Sequence, residues 1–192
     1  MRIFAAAAAI AFAVSTTGSA LAGSEGAGEG FYVGGGASAV QLSDVDFNNG
    51  SNGTNRTAEF DVGVGVNLRG GYDFGLIRAD LELGYTNADV DSVSGATDGS
   101  GEANLYTVMV RGTADFDVGN GFSPYISLGA GAMGAEGDIA FTDSDGVLQT
   151  KNFYGVAPAA SVGVGLGYAL SDSAAAVPVS YTHLRAHETK PN

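Results

Sequence analysis

The fold of this chain is decided by the stretch LIRADLELGYT at residues 76–86, in which every second residue is apolar. Charged, polar or very small residues alternate with the apolar set Ile77, Ala79, Leu81, Leu83 and Tyr85. Strict alternation over this length predicts a β-strand with two unlike faces. The apolar face would pack on a core in a soluble sheet, whereas it would face lipid in a small membrane barrel. The remaining sequence has to be used to distinguish these two arrangements.

The composition narrows the class of protein. The 192 residues correspond to one domain, and they carry a formal net charge of −13. Because nucleic-acid binding requires basic patches, this charge argues against a nucleic-acid partner. The chain has no Cys, so a disulfide scaffold and a Cys-based zinc site are both excluded. The 31 Gly residues lie mostly inside alternating segments, where we interpret them as positions of tight packing.

Residues 1–22 have the features of a secretory signal peptide. Arg2 supplies a positive charge, residues 3–14 are an unbroken apolar run of 12 residues, and residues 20–22 give an A-x-A cleavage pattern. The apolar run is shorter than the roughly 20 residues that a membrane-spanning helix needs. We therefore predict that the mature chain begins near Gly23.

Alternation like that of residues 76–86 recurs along the chain and predicts further strands at residues 31–42, 57–73, 104–118, 122–136 and 153–170. The connections alternate in length, with long polar segments at residues 43–56, 87–103 and 137–152. Short turns lie between them, at residues 74–75 and 119–121. Outer-membrane barrels have this asymmetry, because their external loops are long and their periplasmic turns are short. The pattern predicts an all-β fold, an antiparallel up-and-down transmembrane β-barrel.

Threading the strands up and down assigns roles to the charged and aromatic residues. An interior charge network is predicted to contain Arg69, Arg78, Asp80, Glu82, Arg111 and Asp115, with Asp61 also facing inward. These charges should pair across strands, because an unpaired charge away from water is costly. Two interfacial girdles are predicted to contain Phe60, Tyr72, Tyr85, Tyr106, Phe116, Tyr154 and Tyr168. The small residues on one face of residues 153–170 leave room for the long charged side chains.

Four segments, FYVGGGASA (31–39), FDVGVGVNLRGGYDF (60–74), IRADLELGYT (77–86) and SVGVGLGYAL (161–170), carry a family resemblance. The chain resembles the small outer-membrane β-barrels of Gram-negative bacteria, such as the transmembrane domain of outer-membrane protein A and short porin-family proteins. The resemblance implies an eight-stranded barrel in the bacterial outer membrane, surrounded by lipid and lipopolysaccharide and inserted by the outer-membrane assembly machinery. It implies a structural, adhesive or narrow-porin role, no catalytic residue and no cofactor, and it leaves the external partner open.

The C-terminal part of the chain departs from that family. About six to seven strands are present, so residues 23–177 are predicted to be an incomplete barrel domain. Residues 178–192, PVSYTHLRAHETKPN, do not alternate and contain both His residues. The core of this segment, SYTHLRAHET, resembles an adapter-derived tail on truncated translations. We therefore predict that residues 178–192 are a non-native tail.

Other candidate sites have plainer interpretations. His183 and His187 are spaced like two zinc ligands on a helix, but no third ligand lies near them in sequence. Residues 44–55 begin like a calcium loop but have Asn49 and Asn55 where Gly and Glu are needed. We therefore expect no metal site.

An enzyme is not expected either. Asp80 and Glu82 fit an ion network beside the arginines better than an acid–base pair, and no His precedes His183. The alternative to a membrane barrel is a soluble periplasmic or secreted β-barrel that binds a small apolar ligand. The two differ in whether Arg78, Asp80, Glu82 and Arg111 point inward or outward.

Overall fold

The computed structural model describes residues 11–18, 29–42, 45–49, 54–94, 97–142, 146–171 and 174–185. In chain order its strands are β1 (Ala11–Gly18), β2 (Gly30–Gln41), β3 (Val45–Asn49), β4 (Thr54–Phe60), β5 (Val62–Asp73), β6 (Ile77–Val93), β7 (Thr97–Asp115), β8 (Phe122–Thr142), β9 (Leu148–Ser171) and β10 (Ala174–Arg185). Seven of them form an antiparallel meander in the order β2, β5, β6, β7, β8, β9 and β10. This confirms the predicted all-β, up-and-down architecture. The described residues include no helix that is long and apolar enough to cross a bilayer.

Strand β1 lies beside both ends of the meander, since it pairs with β2 on one side and with β10 on the other. It falls within the predicted signal peptide, and β10 extends into the predicted non-native tail. The boundaries of the signal peptide, the barrel domain and the tail stay predictions. The proposed cleavage pattern at residues 20–22, the start of the calcium-like segment at Asp44 and the side chains of His183 and His187 lie outside the described residues.

The hairpin of β3 and β4 continues the hairpin of β2 and β5 beyond a break at Asp61. Strand β4 pairs with the far end of β6, and the Asp61 backbone N–H donates to the carbonyl of Asp89 at 3.0 Å. Ala58 and Phe60 are buried before the break, whereas Gly63 is buried after it. The inward face therefore moves from even-numbered to odd-numbered residues at Asp61.

The outward face of the meander is apolar. Large exposed side chains on β5, β6, β7, β8 and β9 include Val64, Val66, Leu68, Leu81, Leu83, Val108, Val110, Ile126, Leu128, Val156, Val162 and Val164. The charged residues that alternate with them, including Arg78, Asp80, Glu82 and Arg111, are buried. This is the polarity of a barrel in lipid, and it is the reverse of the polarity of the soluble ligand-binding alternative.

Strand β6 changes the polarity of both its faces along its length. Its inward side chains are charged at Asp80 and Glu82 but apolar at Ala88 and Val90. Its outward side chains change in the opposite sense, from the exposed apolar pair Leu81 and Leu83 to the exposed acidic pair Asp89 and Asp91. The change falls on one cross-strand row, because Asn87 of β6 is opposite Asn104 of β7, which is opposite Glu136 of β8.

Beyond this row the strands form a unit that we call the head: β3, β4, and residues 88–93, 97–103, 137–142 and 148–153 of β6, β7, β8 and β9. Its core is apolar and contains Ala58, Phe60, Ala88, Val90, Val93, Ala103, Ile139 and Phe141; Leu105, next to the row on the barrel side, and Val40 and Leu42, at and just after the end of β2, belong to the same cluster. The six residues from Ala88 to Val93 carry β6 about 20 Å along the strand past the row.

The head corrects the prediction that residues 43–56, 87–103 and 137–152 are long polar loops. Most of the residues described in these segments belong to strands. The segments are rich in acidic residues because their outward face meets water, while the residues between them fill the core of the head. The long connections are therefore loops only near their tips.

Candidate functional site

The register of β5, β6 and β7 brings the charged residues of the barrel interior together. Arg69 is directly opposite Glu82, and Asp80 is directly opposite Arg111. Directly opposite residues in an antiparallel pair have Cβ atoms about 5 Å apart, so their side chains interact. The alternation read from the sequence thus places opposite charges side by side on the inward face.

Arg111 is the centre of this network. One of its terminal nitrogens, Nη2, lies 3.0 Å from Asp80 Oδ1, and the other, Nη1, lies 2.9 Å from Glu82 Oε2. The side chains of Arg111 and Asp80 are each only 2% exposed. The hydroxyl of Tyr32 donates a 2.7 Å hydrogen bond to the second oxygen of Asp80. One guanidinium therefore forms ion pairs with two carboxylates, and the Tyr32 hydrogen bond ties β2 to the same cluster.

A second ion pair lies nearer the short turns. Arg78 donates to Asp115 through Nε at 2.6 Å and through Nη2 at 2.8 Å, in the two-pronged geometry that suits a carboxylate. The guanidinium carbon of Arg78 lies 5.7 Å from the centre of the Tyr32 ring and 5.8 Å from that of Tyr125. Both distances are within the range of a cation–π interaction. Asp115 is the most exposed network residue, with an 18% exposed side chain.

Small residues on the neighbouring strands make room for these long side chains. Gly129 is opposite Arg111 on one side and Ser161 on the other. A Cβ atom at Gly129 would lie 2.5 Å from the hydroxyl of Ser161. On β2, a Cβ atom at Gly34 would lie 3.0 Å from Nε of the buried Arg69. The glycines are therefore part of the interior packing, in keeping with the room predicted from the small face of residues 153–170.

Six of the seven predicted interfacial aromatics lie on the outward side of the wall. Phe116, Tyr85, Tyr106, Tyr154 and Tyr168 are exposed, and Tyr72 is half-buried between Phe31 and Phe74. Tyr85 contacts Tyr106 with ring centres 5.3 Å apart, and Phe122 contacts Tyr168 at 4.8 Å.

The structure corrects the predicted positions of two residues near the β4–β5 break. Phe60 was predicted to lie in a girdle, but it is only 8% exposed and packs in the core of the head. Asp61 was predicted to face the interior, but it is exposed. Both errors have one cause, since the prediction continued a single alternation from residue 57 to residue 73 and the break at Asp61 interrupts it.

Two tyrosines of the network were missed. Tyr32 is buried and bonded to Asp80, but the Gly residues at 34–36 blur the alternation of its strand. Tyr125 is buried against Arg78, and its inward position could have been read from the outward positions of Ile126 and Leu128. An aromatic residue at an inward position, such as Tyr125, was therefore the sequence signal that could have identified a further member of the network.

The interior network pairs buried charged side chains with one another and does not expose these side chains to a substrate. Arg111 forms ion pairs with Asp80 and Glu82, and Tyr32 donates a hydrogen bond to Asp80 inside the wall. Among the residues that the structure describes, no group of three or more His, Cys, Asp or Glu side chains is placed to hold a metal ion. The network therefore links β2, β6 and β7 on the inward face of the wall.

An antiparallel meander with an apolar outer face and a paired charge network inside defines a transmembrane β-barrel protein. The family model for the outer membrane protein beta-barrel domain matches residues 4–192, so the chain belongs to this family of outer-membrane proteins, which are generally not enzymes. No curated protein matches the chain.

Proposed function

We propose that this protein is a non-conducting outer-membrane barrel that anchors and presents the head at the cell surface, in a structural or adhesive role. The observation that carries the proposal is the apolar core that lies directly above the charge network. In outer-membrane barrels the longer connections face the outside, which places the head there. Outer-leaflet lipid and lipopolysaccharide would surround the protein, and the outer-membrane assembly machinery would insert it.

Large buried side chains of the described strands lie on both sides of the polarity change. Above Arg111, Met109 and Met133 belong to the same buried hydrophobic cluster as Ile139 and Phe141 of the head. A small barrel of about eight strands is normally filled by its own side chains. An ion that entered from the head would have to leave water for an apolar core, which is costly without a partner. These features favour an anchor over a narrow porin.

The test is conductance in planar lipid bilayers. The refolded protein should give no stepwise current at either polarity, while its gel band shifts on boiling as a folded barrel does. The matched variant Asp80→Asn, Glu82→Gln, Arg111→Met removes the charges without leaving these carboxylates ionised, and it should be equally silent. Current steps whose ion selectivity changes in this triple variant would show that ions pass the charge network, and they would overturn the anchor proposal in favour of a narrow porin.

A further inference from the structure

We infer that the outward face of β7, β8 and β9 at the water boundary binds the sugar headgroup of a glycolipid in the outer leaflet. The site, which we call the tyrosine–glutamate patch, consists of Tyr106, Gly134, Glu136 and Tyr154. This inference rests on the outward orientation of the head under the proposed function.

The register places these four residues on two adjacent rows. Glu136 lies directly opposite Tyr154, and Gly134 lies directly opposite Tyr106. Neighbouring strands are about 4.8 Å apart and the two rows are about 6.7 Å apart along the strands, so the two tyrosines flank β8 at a Cα separation of roughly 12 Å. Tyr106 is 45% exposed and Tyr154 is 78% exposed. Both rings are therefore available on the surface of the wall.

The centre of the patch has no side chain. Gly134 stands between Tyr106 and Val156, and a Cβ atom placed there would have its nearest described neighbours at 4.0 Å. One carboxylate oxygen of Glu136, Oε1, accepts a 2.9 Å hydrogen bond from the Tyr106 hydroxyl. This bond fixes the tyrosine ring beside the gap, and the exposed Glu136 retains acceptor capacity.

These groups match the chemistry of a pyranose ring. Such a ring has faces of C–H groups, which pack on aromatic surfaces, and a rim of hydroxyls, which donate to carboxylates. A recognition site of this kind needs apolar surface and a few placed polar groups, and the patch supplies both. Tyrosine is suited to the boundary because its ring is apolar and its hydroxyl is polar.

The position of the patch indicates a sugar that is carried by a lipid. Directly below it the wall is apolar and exposed at Val108, Ala132 and Pro158. Acyl chains can pack there while the headgroup lies at the patch. Directly above it, Glu102 and Asp138 face each other across β7 and β8 and would repel a phosphate. The patch is therefore expected to contact the uncharged face of the sugar.

The test uses the folded protein in dodecylphosphocholine micelles, to which dodecyl maltoside is added. Nuclear Overhauser contacts between maltoside sugar protons and labelled tyrosine rings are measured. We expect contacts to Tyr106 and Tyr154, and an at least fivefold loss of the Tyr106 contacts in Tyr154→Ala and in Glu136→Gln. The matched control Tyr168→Ala, in the other girdle, should leave the Tyr106 contacts unchanged. A boiling-dependent gel shift checks that each variant is folded.

Three results would overturn the inference. Equal sugar contacts at Tyr168 and Tyr154 would mean that any interfacial tyrosine suffices. Equal contacts with free maltose would show that the sugar need not be carried by a lipid. Stronger contacts with a cationic dodecyl amphiphile would mean that the carboxylates select charge. None of these measurements depends on conductance, so the inference and the anchor proposal can fail separately.

Discussion

Replacing Arg111 with Met should strongly destabilise the barrel. The variant removes the ion pairs that Arg111 makes with Asp80 and Glu82, whose side chains are 2% and 8% exposed. Breaking a buried pair by removing one partner typically costs about 3–5 kcal/mol, because the other charge stays buried. Two buried carboxylates each lose an ion pair here, so we expect the upper half of that range. A loss of about 4 kcal/mol lowers the folding equilibrium constant roughly a thousandfold.

The assay is urea unfolding in lipid vesicles, followed by the gel shift between folded and boiled forms. The control is the triple variant Asp80→Asn, Glu82→Gln, Arg111→Met, which removes all three charges and keeps an acceptor at residue 80 for the Tyr32 hydroxyl. Replacing a whole buried ion cluster by neutral groups is often close to neutral for stability. The reasoning is refuted if Arg111→Met costs less than about 1 kcal/mol, or if the triple variant is as unstable as the single one.

Three further predictions concern the head, the lipid-facing wall and the interior packing. Phe141→Ala should lower stability by about 3–5 kcal/mol, since Phe141 is fully buried in the head. The head should then become sensitive to protease before the barrel unfolds, and cleavage of barrel and head together would contradict this. Leu83→Arg should lower stability in vesicles by about 2–4 kcal/mol. The matched variant Asp91→Arg, on the exposed face of the head, should change stability in vesicles by less than about 0.5 kcal/mol. Gly129→Leu should prevent the gel shift of the folded form, whereas Gly112→Ala should not, because no described atom lies within 4 Å of a Cβ at Gly112.

The part of the fold that lies in lipid could be predicted from the sequence because its two faces differ in kind. Leu81 and Leu83 face out, and Asp80 and Glu82 face in, as the alternation indicates. The sequence also predicted that the inward charges pair across strands, but it did not say which residues pair. That depends on the register that sets Asp80 opposite Arg111, which alternation alone does not determine.

The head could not be recognised in the same way. Residues such as Asp89 and Asp91 are typical of loops, and the apolar residues between them, Ala88 and Val90, are too few to indicate a core by themselves. They become a core only when β4, β7 and β8 supply the facing side chains. A local pattern cannot report a contact between distant segments. The break at Asp61 was hidden for a similar reason, since it is stabilised by the backbone of Asp89.

The reversal of polarity along β6 also bears on how accurately the strand must align during assembly. If β6 slipped by one residue against its neighbours, every side chain would exchange faces. Asp80 and Glu82 would enter hydrocarbon, and in the same movement Asp89 and Asp91 would enter the apolar core of the head. In a soluble sheet or an ordinary membrane strand, one environment penalises a misaligned register. In β6 two environments penalise it: lipid around the barrel and the apolar core of the head. The correct alignment is therefore selected independently at each end of the strand.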